Sequence, residues 1–212
     1  ILAANEAAAA HVREAHRATL VANLISSPGS GKTTLLEATA SRLKQRLKLG
    51  VIEGDIATER DADRLRKLGV PAHQILTGGA CHLDARQVQT ALDVAKFGAL
   101  DVLLIENVGN LICPTSYDLG EDFKVVVLST TEGEDKPFKY PAIFARSEVA
   151  VISKIDLLPH VPFAIDEVRT QIRALRPDGV LIELSARTGA GMDAWCGLIE
   201  QRLAAKRAAA KG

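Results

Sequence analysis

A glycine-rich segment, "SSPGSGKTT" at residues 26–34, stands between an apolar run and a helical pattern. Glycines let backbone N–H groups approach a phosphate closely, and the start of a helix adds the positive end of its dipole. In such a phosphate-binding loop (P-loop) the lysine, here Lys32, reaches the β- and γ-phosphates, and the next hydroxyl, here Thr33, holds Mg²⁺. Ser26 replaces the first glycine of the usual pattern. The segment predicts a nucleotide phosphate site formed by Gly29, Ser30, Gly31, Lys32, Thr33 and Thr34.

A second polar cluster, "SKID", indicates which base the site accepts. Its carboxylate, Asp156, can accept the two N–H groups of guanine, whereas adenine offers no matching donors. We expect Lys154 to lay its methylene stem over the base and the Ala186 N–H, in "SAR", to reach the guanine oxygen. Ser153 stands where the common pattern Asn-Lys-x-Asp has its asparagine, so one hydrogen-bonding arm is shorter. The predicted ligand is GTP or GDP, bound through Lys154, Asp156, Ser185 and Ala186.

Two acidic residues follow apolar runs and belong with the phosphates. Asp55 ends "VIEGD" and Glu106 begins "ENVG", and the carboxyl ends of parallel strands meet at one edge of a sheet, where ligands bind. We assign Glu106 to Mg²⁺ through water, Gly109 to sensing the γ-phosphate, and Asp55 to the metal's water shell or to the attacking water. With Lys32 these two acids form the predicted catalytic set. No positioning glutamine or arginine finger can be chosen from the sequence, so we expect slow intrinsic turnover.

A thiol and an imidazole are adjacent in "GGACHLDA", as Cys81 and His82, and Cys113 lies seven residues beyond Glu106. A lone cysteine is more often a small buried hydrophobe, which is our prediction for Cys196. A third ligand just after Glu106 would instead tie a metal site to the nucleotide. Two thiolates and one imidazole suit Ni²⁺ or Zn²⁺, and their spacing does not distinguish these ions. A tetrahedral metal would lack one ligand, which water or a second subunit could supply.

The elements that must position these residues are short apolar runs separated by helical patterns. The runs do not alternate strictly, which is typical of strands covered on both faces of a parallel sheet. Six strands are predicted, at residues 20–26, 51–55, 102–107, 125–130, 149–154 and 180–185. Helices are predicted on a stripe of Leu36, Ala40, Leu43 and Leu47 and over residues 84–97, 164–175 and 191–207. The predicted fold class is α/β, a doubly wound, mostly parallel sheet with helices on both faces.

Length and charge exclude several classes of protein. The 212 residues fit one domain, so we predict a single GTPase domain over residues 1–212. An Ala-rich helical extension at about residues 1–19 is expected to fray or to serve as a docking arm. Acidic and basic residues number 26 each, so the chain has no excess positive charge that would attract nucleic acid, and we predict no nucleic-acid partner. No apolar run approaches the roughly 20 residues of a membrane span, and three irregularly spaced cysteines suit a reducing compartment, so we predict a cytoplasmic protein.

Together these motifs resemble a known family. The segments "NLISSPGSGKTT", "VIEGD", "CHLDA", "ENVGNLICP", "LSTTEGEDKPFKYP" and "SKIDLLP" are similar to those of the hydrogenase nickel-incorporation GTPases, the HypB family of SIMIBI-class P-loop NTPases. The resemblance runs from about Asn23 to the last residue. It implies a GTP-hydrolysing metallochaperone that binds nickel or zinc and assists nickel insertion during [NiFe]-hydrogenase maturation. The family's metal ligands carry over onto Cys81, His82 and Cys113.

The resemblance also implies partners. These are a homodimer that depends on nucleotide or metal, a HypA-like zinc accessory protein and the hydrogenase large subunit. In "EGEDKPFKYP", Lys136 is expected to touch the nucleotide of the second protomer. The sequence has no Cys-x-x-Cys motif near its start and no His-rich tract, so we do not expect the high-affinity nickel store that those features give other members.

Three alternative functions remain open from the sequence. A urease-accessory-like nickel GTPase would share the P-loop style but carry Cys-Pro-His as its metal motif, in place of Cys-His-Leu-Asp. A P-loop kinase or ATPase acting on small molecules would make the pair of Lys154 and Asp156 incidental, and comparing GTP with ATP binding would reveal it. A metal-binding module with vestigial hydrolysis would show no GTP turnover at saturating Mg²⁺.

Overall fold

A computed structural model describes residues 2–55 and 60–210, with residues 2, 55 and 60 described by their backbone alone. Within these ranges seven parallel strands form one sheet in the order β3-β2-β4-β1-β5-β6-β7. The strands are β1 (Leu20–Ser26), β2 (Leu49–Asp55), β3 (Ala72–Leu76), β4 (Val102–Glu106), β5 (Phe123–Ser129), β6 (Val149–Ser153) and β7 (Val180–Glu183). The predicted α/β class with a parallel sheet is confirmed.

Helices connect the strands and cover both faces of the sheet. They are α1 (Leu2–Ala15), α2 (Lys32–Leu43), α3 (Arg60–Lys67), α4 (Ala85–Ala95), α5 (Lys136–Lys139), α6 (Pro141–Arg146), α7 (Ile165–Leu175) and α8 (Met192–Ala209). Two short 3-10 helices, Cys113–Ser116 and Ile155–His160, follow β4 and β6. None of the helices in the described ranges combines the length and apolar character that crossing a membrane would need.

Burial on both faces explains the continuous apolar runs. All seven residues of β1 are buried, and alternate residues point to opposite faces. Leu20, Ala22 and Leu24 join a core cluster with α2, α3 and α8. Val21 joins a second cluster with α1 and α4, and Ile25 a third with α6 and α7. The strand that leads into the P-loop is therefore the central, fixed element of the sheet.

The structure corrects several element boundaries and adds elements. The edge strand β3 and the helices α3, α5 and α6 are absent from the prediction. Strands β4, β5, β6 and β7 end one or two residues earlier than predicted, and β2 and β5 begin two residues earlier. Helix α2 ends at Leu43, so Leu47 lies in the following turn, where it still packs partly buried against the core.

The N-terminal helix α1 packs against the rest of the domain. Ala8, Ala9 and Val12 are buried. Buried Asn5 accepts a hydrogen bond from the N–H of Ala85 at 2.9 Å and donates one to the carbonyl oxygen of Asp118 at 2.8 Å. These contacts join α1 to the first turn of α4 and to the loop before β5.

Candidate nucleotide and metal sites

The P-loop connects the end of β1 to the first turn of α2. Gly29 and Gly31 have φ angles of 79° and 92°, a left-handed conformation that glycine adopts at no steric cost. Gly31 is the N-cap of α2, and the first N–H groups of a helix have no partner within it. The predicted loop therefore has the backbone geometry that anion binding requires.

Lys32 is held inside this loop. It is 6% exposed, and its Nζ donates a hydrogen bond to the Oγ of Ser26 at 2.6 Å. The hydroxyl of Ser30 also bonds Ser26. Burial lowers the pKa of Lys32, while the carboxylates of Glu106 and Glu132 act in the opposite direction. Ser26, the residue that departs from the usual pattern, thus takes part in placing the ammonium group.

A cavity of about 500 Å³ opens above the P-loop at the carboxyl edge of the sheet. On its floor the hydroxyl of Thr33 donates to Oε1 of Glu106 at 3.1 Å. Hydroxyl and carboxylate oxygens are the hard ligands that Mg²⁺ prefers, so this pair fits the predicted metal. Asp55 ends β2 at the same edge, but its side chain lies outside the described residues. The cavity is lined by Pro28, Gly29, Gly31, Lys32, Thr33, Thr34, Glu53, Gly54, Asp61, Arg64, Gln74, Glu106, Asn107, Val108, Gly109 and Lys154.

Glu53 is a residue of this cavity that the sequence analysis missed. It is 2% exposed and lies opposite Glu106 in the register of β2 and β4. Neither carboxylate oxygen of Glu53 has a hydrogen-bond partner among the described residues. Burial and the neighbouring Glu106 carboxylate raise the pKa of Glu53 to about 8. Its position two residues before Asp55, hence on the same strand face, was the signal that could have found it.

Gly109, the predicted γ-phosphate sensor, lies against the P-loop. A Cβ atom at this position would come within 2.9 Å of Cγ and 3.0 Å of the backbone N of Pro28. Only a glycine lets the two backbones approach this closely. The segment that follows β4 is therefore in direct contact with the loop that is predicted to hold the phosphates.

A second cavity, of about 190 Å³, adjoins the P-loop at the ends of β6 and β7. It brings together the residues predicted to hold the base: Lys154, Asp156, Ser185 and Ala186. Lys154 has a positive φ of 59°, and its Nζ donates to the carbonyl oxygen of Gly29 at 2.8 Å. The lysine stem thus spans the boundary between the base and phosphate cavities.

Ser153, which replaces the usual asparagine, connects this cavity to the P-loop. Its hydroxyl donates to the carbonyl oxygen of Ser30 at 2.7 Å, and the residue is 4% exposed. The single hydroxyl hydrogen of Ser153 is used in that bond. Serine in place of asparagine therefore still gives a hydrogen bond between the end of β6 and the P-loop, through a shorter side chain.

The structure brings the three predicted metal ligands together. One ligand atom each from Cys81, His82 and Cys113 lies within 4.8 Å of the other two. Cys81 is exposed and the other two are partly buried. The Sγ of Cys81 is 3.5 Å from Nδ1 of His82. Two sulfur atoms and one ring nitrogen at this separation suit a soft or borderline transition metal.

Neighbouring residues orient these ligands. The ring of His82 packs on that of Tyr117, with 3.9 Å between centroids. Asp84 caps α4 through a reciprocal capping box with Gln87, which fixes the chain just beyond the Cys-His pair. In the metal-free protein a hydrogen bond with the Cys113 thiol raises the pKa of Cys81, and a bound cation would reverse this by favouring the thiolate.

The sequence also made predictions for Cys196 and Lys136. Cys196 is 5% exposed within the core cluster of α8, as predicted. Lys136 begins α5, with its Nζ 5.5 Å from the ring centroid of Tyr140. Its contact with the nucleotide of a second protomer stays a prediction.

Sequence comparison identifies close relatives. A family model described as the CobW/HypB/UreG nucleotide-binding domain matches residues 20–183. The chain is 50% identical over 188 residues to the hydrogenase maturation factor HypB of Escherichia coli (strain K12), a match that covers 89% of this chain and 65% of that protein. It is 46% identical over 193 residues to the hydrogenase/urease maturation factor HypB of Helicobacter pylori (strain 26695), covering 88% and 79%. The chain thus spans less than two thirds of the Escherichia coli relative.

Structural comparison agrees. HypB from Archaeoglobus fulgidus superposes with a TM-score of 0.89 at 39% identity, over 95% of this chain and 100% of that one. HypB from Helicobacter pylori in complex with nickel gives 0.90 at 40% identity, over 96% of each chain. A LAO/AO transport system kinase, at 18% identity and a TM-score of 0.60, shares the fold alone. The P-loop, the matched family model and these relatives together show that the chain belongs to the HypB hydrogenase maturation factors of the CobW/HypB/UreG nucleotide-binding family.

Proposed function

We propose that the protein is a GTP-hydrolysing metallochaperone that binds nickel or zinc at Cys81, His82 and Cys113 and assists nickel insertion during [NiFe]-hydrogenase maturation. One observation carries the proposal. The three ligands lie close together, and one of them, Cys113, follows residues 106–109, which line the phosphate cavity. The nickel complex of the Helicobacter pylori relative supports it. A site for the metal cargo beside a nucleotide site is the arrangement that a GTP-controlled metal carrier needs.

The phosphate cavity supplies the residues for hydrolysis. Lys32, which bonds Ser26 inside the P-loop, would neutralise the β- and γ-phosphates, and the N–H groups of the P-loop would donate to their oxygens. Thr33, Glu106 and Asp55 would hold Mg²⁺, which supplies positive charge to the phosphates when bound. Gly109, in contact with Pro28, would respond to the presence of the γ-phosphate. No arginine finger is assigned, so turnover is expected to be slow.

The base cavity supports a preference for guanine. Asp156 offers a carboxylate to two N–H donors of that base, Ala186 offers a backbone N–H to its oxygen, and Lys154 offers an aliphatic stem for stacking. An adenine in the same place would leave the Asp156 charge without its partners, which is costly in a partly buried site. GTP is therefore the proposed substrate and GDP the product.

The proposal extends to the assembly of the protein. Residues 1–212 would form one GTPase domain with an N-terminal helical extension at about residues 1–19. The domain would form a homodimer in response to nucleotide or metal. It would receive or pass on metal with a HypA-like zinc accessory protein and the hydrogenase large subunit. A cytoplasmic location fits the three free cysteines, because reducing compartments keep thiols available as ligands.

Metal titration in two nucleotide states tests this function. Protein loaded with GDP or with a non-hydrolysable GTP analogue is titrated with Ni²⁺ and with Zn²⁺, and GTP turnover is measured with Mg²⁺ present. We expect a metal affinity that differs between the two states, and a loss of at least about tenfold in affinity for Cys113→Ala, because one of three thiolate or imidazole ligands is gone. Cys196→Ala is the matched control and should leave metal affinity unchanged. Equal metal affinities in both states would contradict a nucleotide-controlled carrier.

A further inference from the structure

Asn107, the residue after β4, lies between the phosphate cavity and the metal ligands. It is 1% exposed, and its backbone N–H donates to the carbonyl oxygen of Leu24 in β1 at 2.9 Å. Its side-chain Oδ1 accepts two hydrogen bonds, from the N–H of Leu83 at 3.1 Å and from its neighbour Val108 at 3.0 Å. Its Nδ2 donates to Oδ1 of Asn23 at 3.2 Å. Every polar group of the carboxamide is therefore used inside the protein.

The bond to Leu83 fixes one half of the metal cluster. The N–H of Leu83 belongs to the peptide group that it shares with His82, so its position determines where the Cys81-His82 pair lies. The side chain of Leu83 is wholly buried and packs against Gly54 at the end of β2, where a Cβ atom would approach it to 2.9 Å. The Cys81-His82 segment is thus held next to Gly54, which lines the phosphate cavity.

The third ligand, Cys113, is held by the segment that follows Asn107. Oδ1 of Asn110 accepts hydrogen bonds from the N–H of Ile112 at 2.7 Å and from that of Cys113 at 3.4 Å. Between Asn107 and Asn110 lies Gly109, whose backbone contacts the P-loop. Residues 107–110 therefore contact the phosphate loop and both halves of the metal cluster.

We infer that Asn107 is a positioning residue that transmits the nucleotide state to the metal cluster, by holding the backbones of Leu83 and Val108 on one carboxamide oxygen. The inference rests on the proposed function, because it requires that nucleotide and metal both bind. A movement of Val108 and Gly109 on binding of the γ-phosphate must carry Leu83 with it or break a buried hydrogen bond. When both hydrogen bonds to Asn107 are kept, the movement of Leu83 changes the geometry of the Cys81-His82 pair relative to Cys113.

The experiment measures a coupling factor, the ratio of Ni²⁺ affinities in the GTP-analogue and GDP forms, with Zn²⁺ measured in parallel. Couplings between sites are typically about 5- to 150-fold. We expect the factor of Asn107→Ala to fall to within about twofold of one. Asn23→Ala is the matched control: it removes a buried amide from the same network and leaves the Leu83 bond in place. Its factor should stay within about twofold of the wild-type value.

The outcomes separate the inference from the proposed function. A wild-type factor of one overturns the nucleotide control on which the inference rests, and the inference with it. A wild-type factor above one that Asn107→Ala retains overturns the inference alone, and so does an equal loss in Asn107→Ala and Asn23→Ala. If Asn107→Ala does not fold, Asn107→Ser replaces it, because the shorter hydroxyl side chain keeps a polar group but cannot span to Leu83.

Discussion

Asp156 is the residue on which the choice of base depends. Asp156→Asn replaces an acceptor by an amide that can pair with the additional oxygen of xanthine. We expect GTP affinity to fall by roughly a hundredfold, since two hydrogen bonds to a charged acceptor are lost, and XTP to become the preferred ligand. Fluorescent nucleotide binding measures both affinities and that for ATP. Asp166→Asn, on the exposed side of α7, is the control and should behave as wild type. Equal binding of GTP and ATP by the unmodified chain would refute the assignment.

Glu53 makes stability depend on pH in a defined direction. In the unfolded chain its carboxyl ionises near the ordinary pKa of 4.5, whereas burial and Glu106 keep it protonated to about 8 in the folded protein. Between these values the unfolded state loses a proton that the folded state keeps, so rising pH destabilises the fold until about pH 8. Glu53→Gln is neutral throughout and removes this penalty, which amounts to roughly 3 kcal/mol at pH 7.

Urea denaturation of nucleotide-free protein with a chelator present checks this prediction. From about pH 5 to about pH 8.5 the stability advantage of Glu53→Gln over wild type should grow and then level off. Glu6→Gln makes the same chemical change at an exposed position of α1 and should show no such trend. A difference between Glu53→Gln and wild type that does not vary with pH would show that the Glu53 carboxyl is already ionised at neutral pH.

At the scale of elements, docking of α1 depends on Asn5. Asn5→Ala would leave the N–H of Ala85 and the carbonyl of Asp118 without their buried partner. We expect a loss of about 1 to 3 kcal/mol in the free energy of unfolding, measured by urea denaturation. Glu6→Ala, on the exposed side of the same helix, should change it by no more than about 0.5 kcal/mol. Unchanged stability in Asn5→Ala would mean that the Asn5 hydrogen bonds contribute nothing to the docking of α1.

The sequence predicts those elements whose local pattern agrees with their environment. Central strands such as β1 and β6 are apolar because both faces are covered, and the P-loop follows from fixed spacing. Edge strand β3 was missed because His73 and Gln74 interrupt its apolar pattern, and only one neighbour pairs with it. Helix α3 was missed because six of its eight residues are charged. Charged surface helices and edge strands are determined by tertiary contacts, which periodicity does not contain.

The residues of the candidate site also divide into those that the sequence identifies and those that only their neighbours in space identify. Ligand residues with distinctive chemistry, such as Cys81 and Asp156, stand out in the sequence. Glu53 and Asn107 do not, because an acid or amide near a strand end is common and gains importance only from its neighbours in space. Their roles depend on the order of the strands, which places β2 beside β4 and brings Leu83 against the residue that follows β4.

At the scale of the whole molecule, one protomer offers three metal ligands, and a tetrahedral metal takes four. The cluster is at the surface, with Cys81 exposed, and Ile112 and Phe138 are large apolar side chains that are 66% and 80% exposed. We expect Ni²⁺ or Zn²⁺, or the GTP analogue, to shift the mass from 22.6 kDa to twice that value in analytical ultracentrifugation. Cys113→Ala should abolish the metal-dependent part of the shift and Cys196→Ala should retain it. A monomer under every condition would rule out the shared site.

The strand order also determines when the site can exist during synthesis. The P-loop strand β1 does not pair with β2, its neighbour in sequence, but with β4 and β5, so that Leu20 lies beside Val102 and Ala22 beside Phe123. A ribosome-bound chain that has exposed the complete P-loop motif and even the Cys81-His82 pair therefore has no partner strand for β1. Such long-range parallel pairings form late and slowly. All three metal ligands and the partner strand β4 are synthesised before β5, whereas Ser185 and Ala186 of the base cavity come only after β7. The proposed guanine site is therefore the last of the sites to be completed during synthesis.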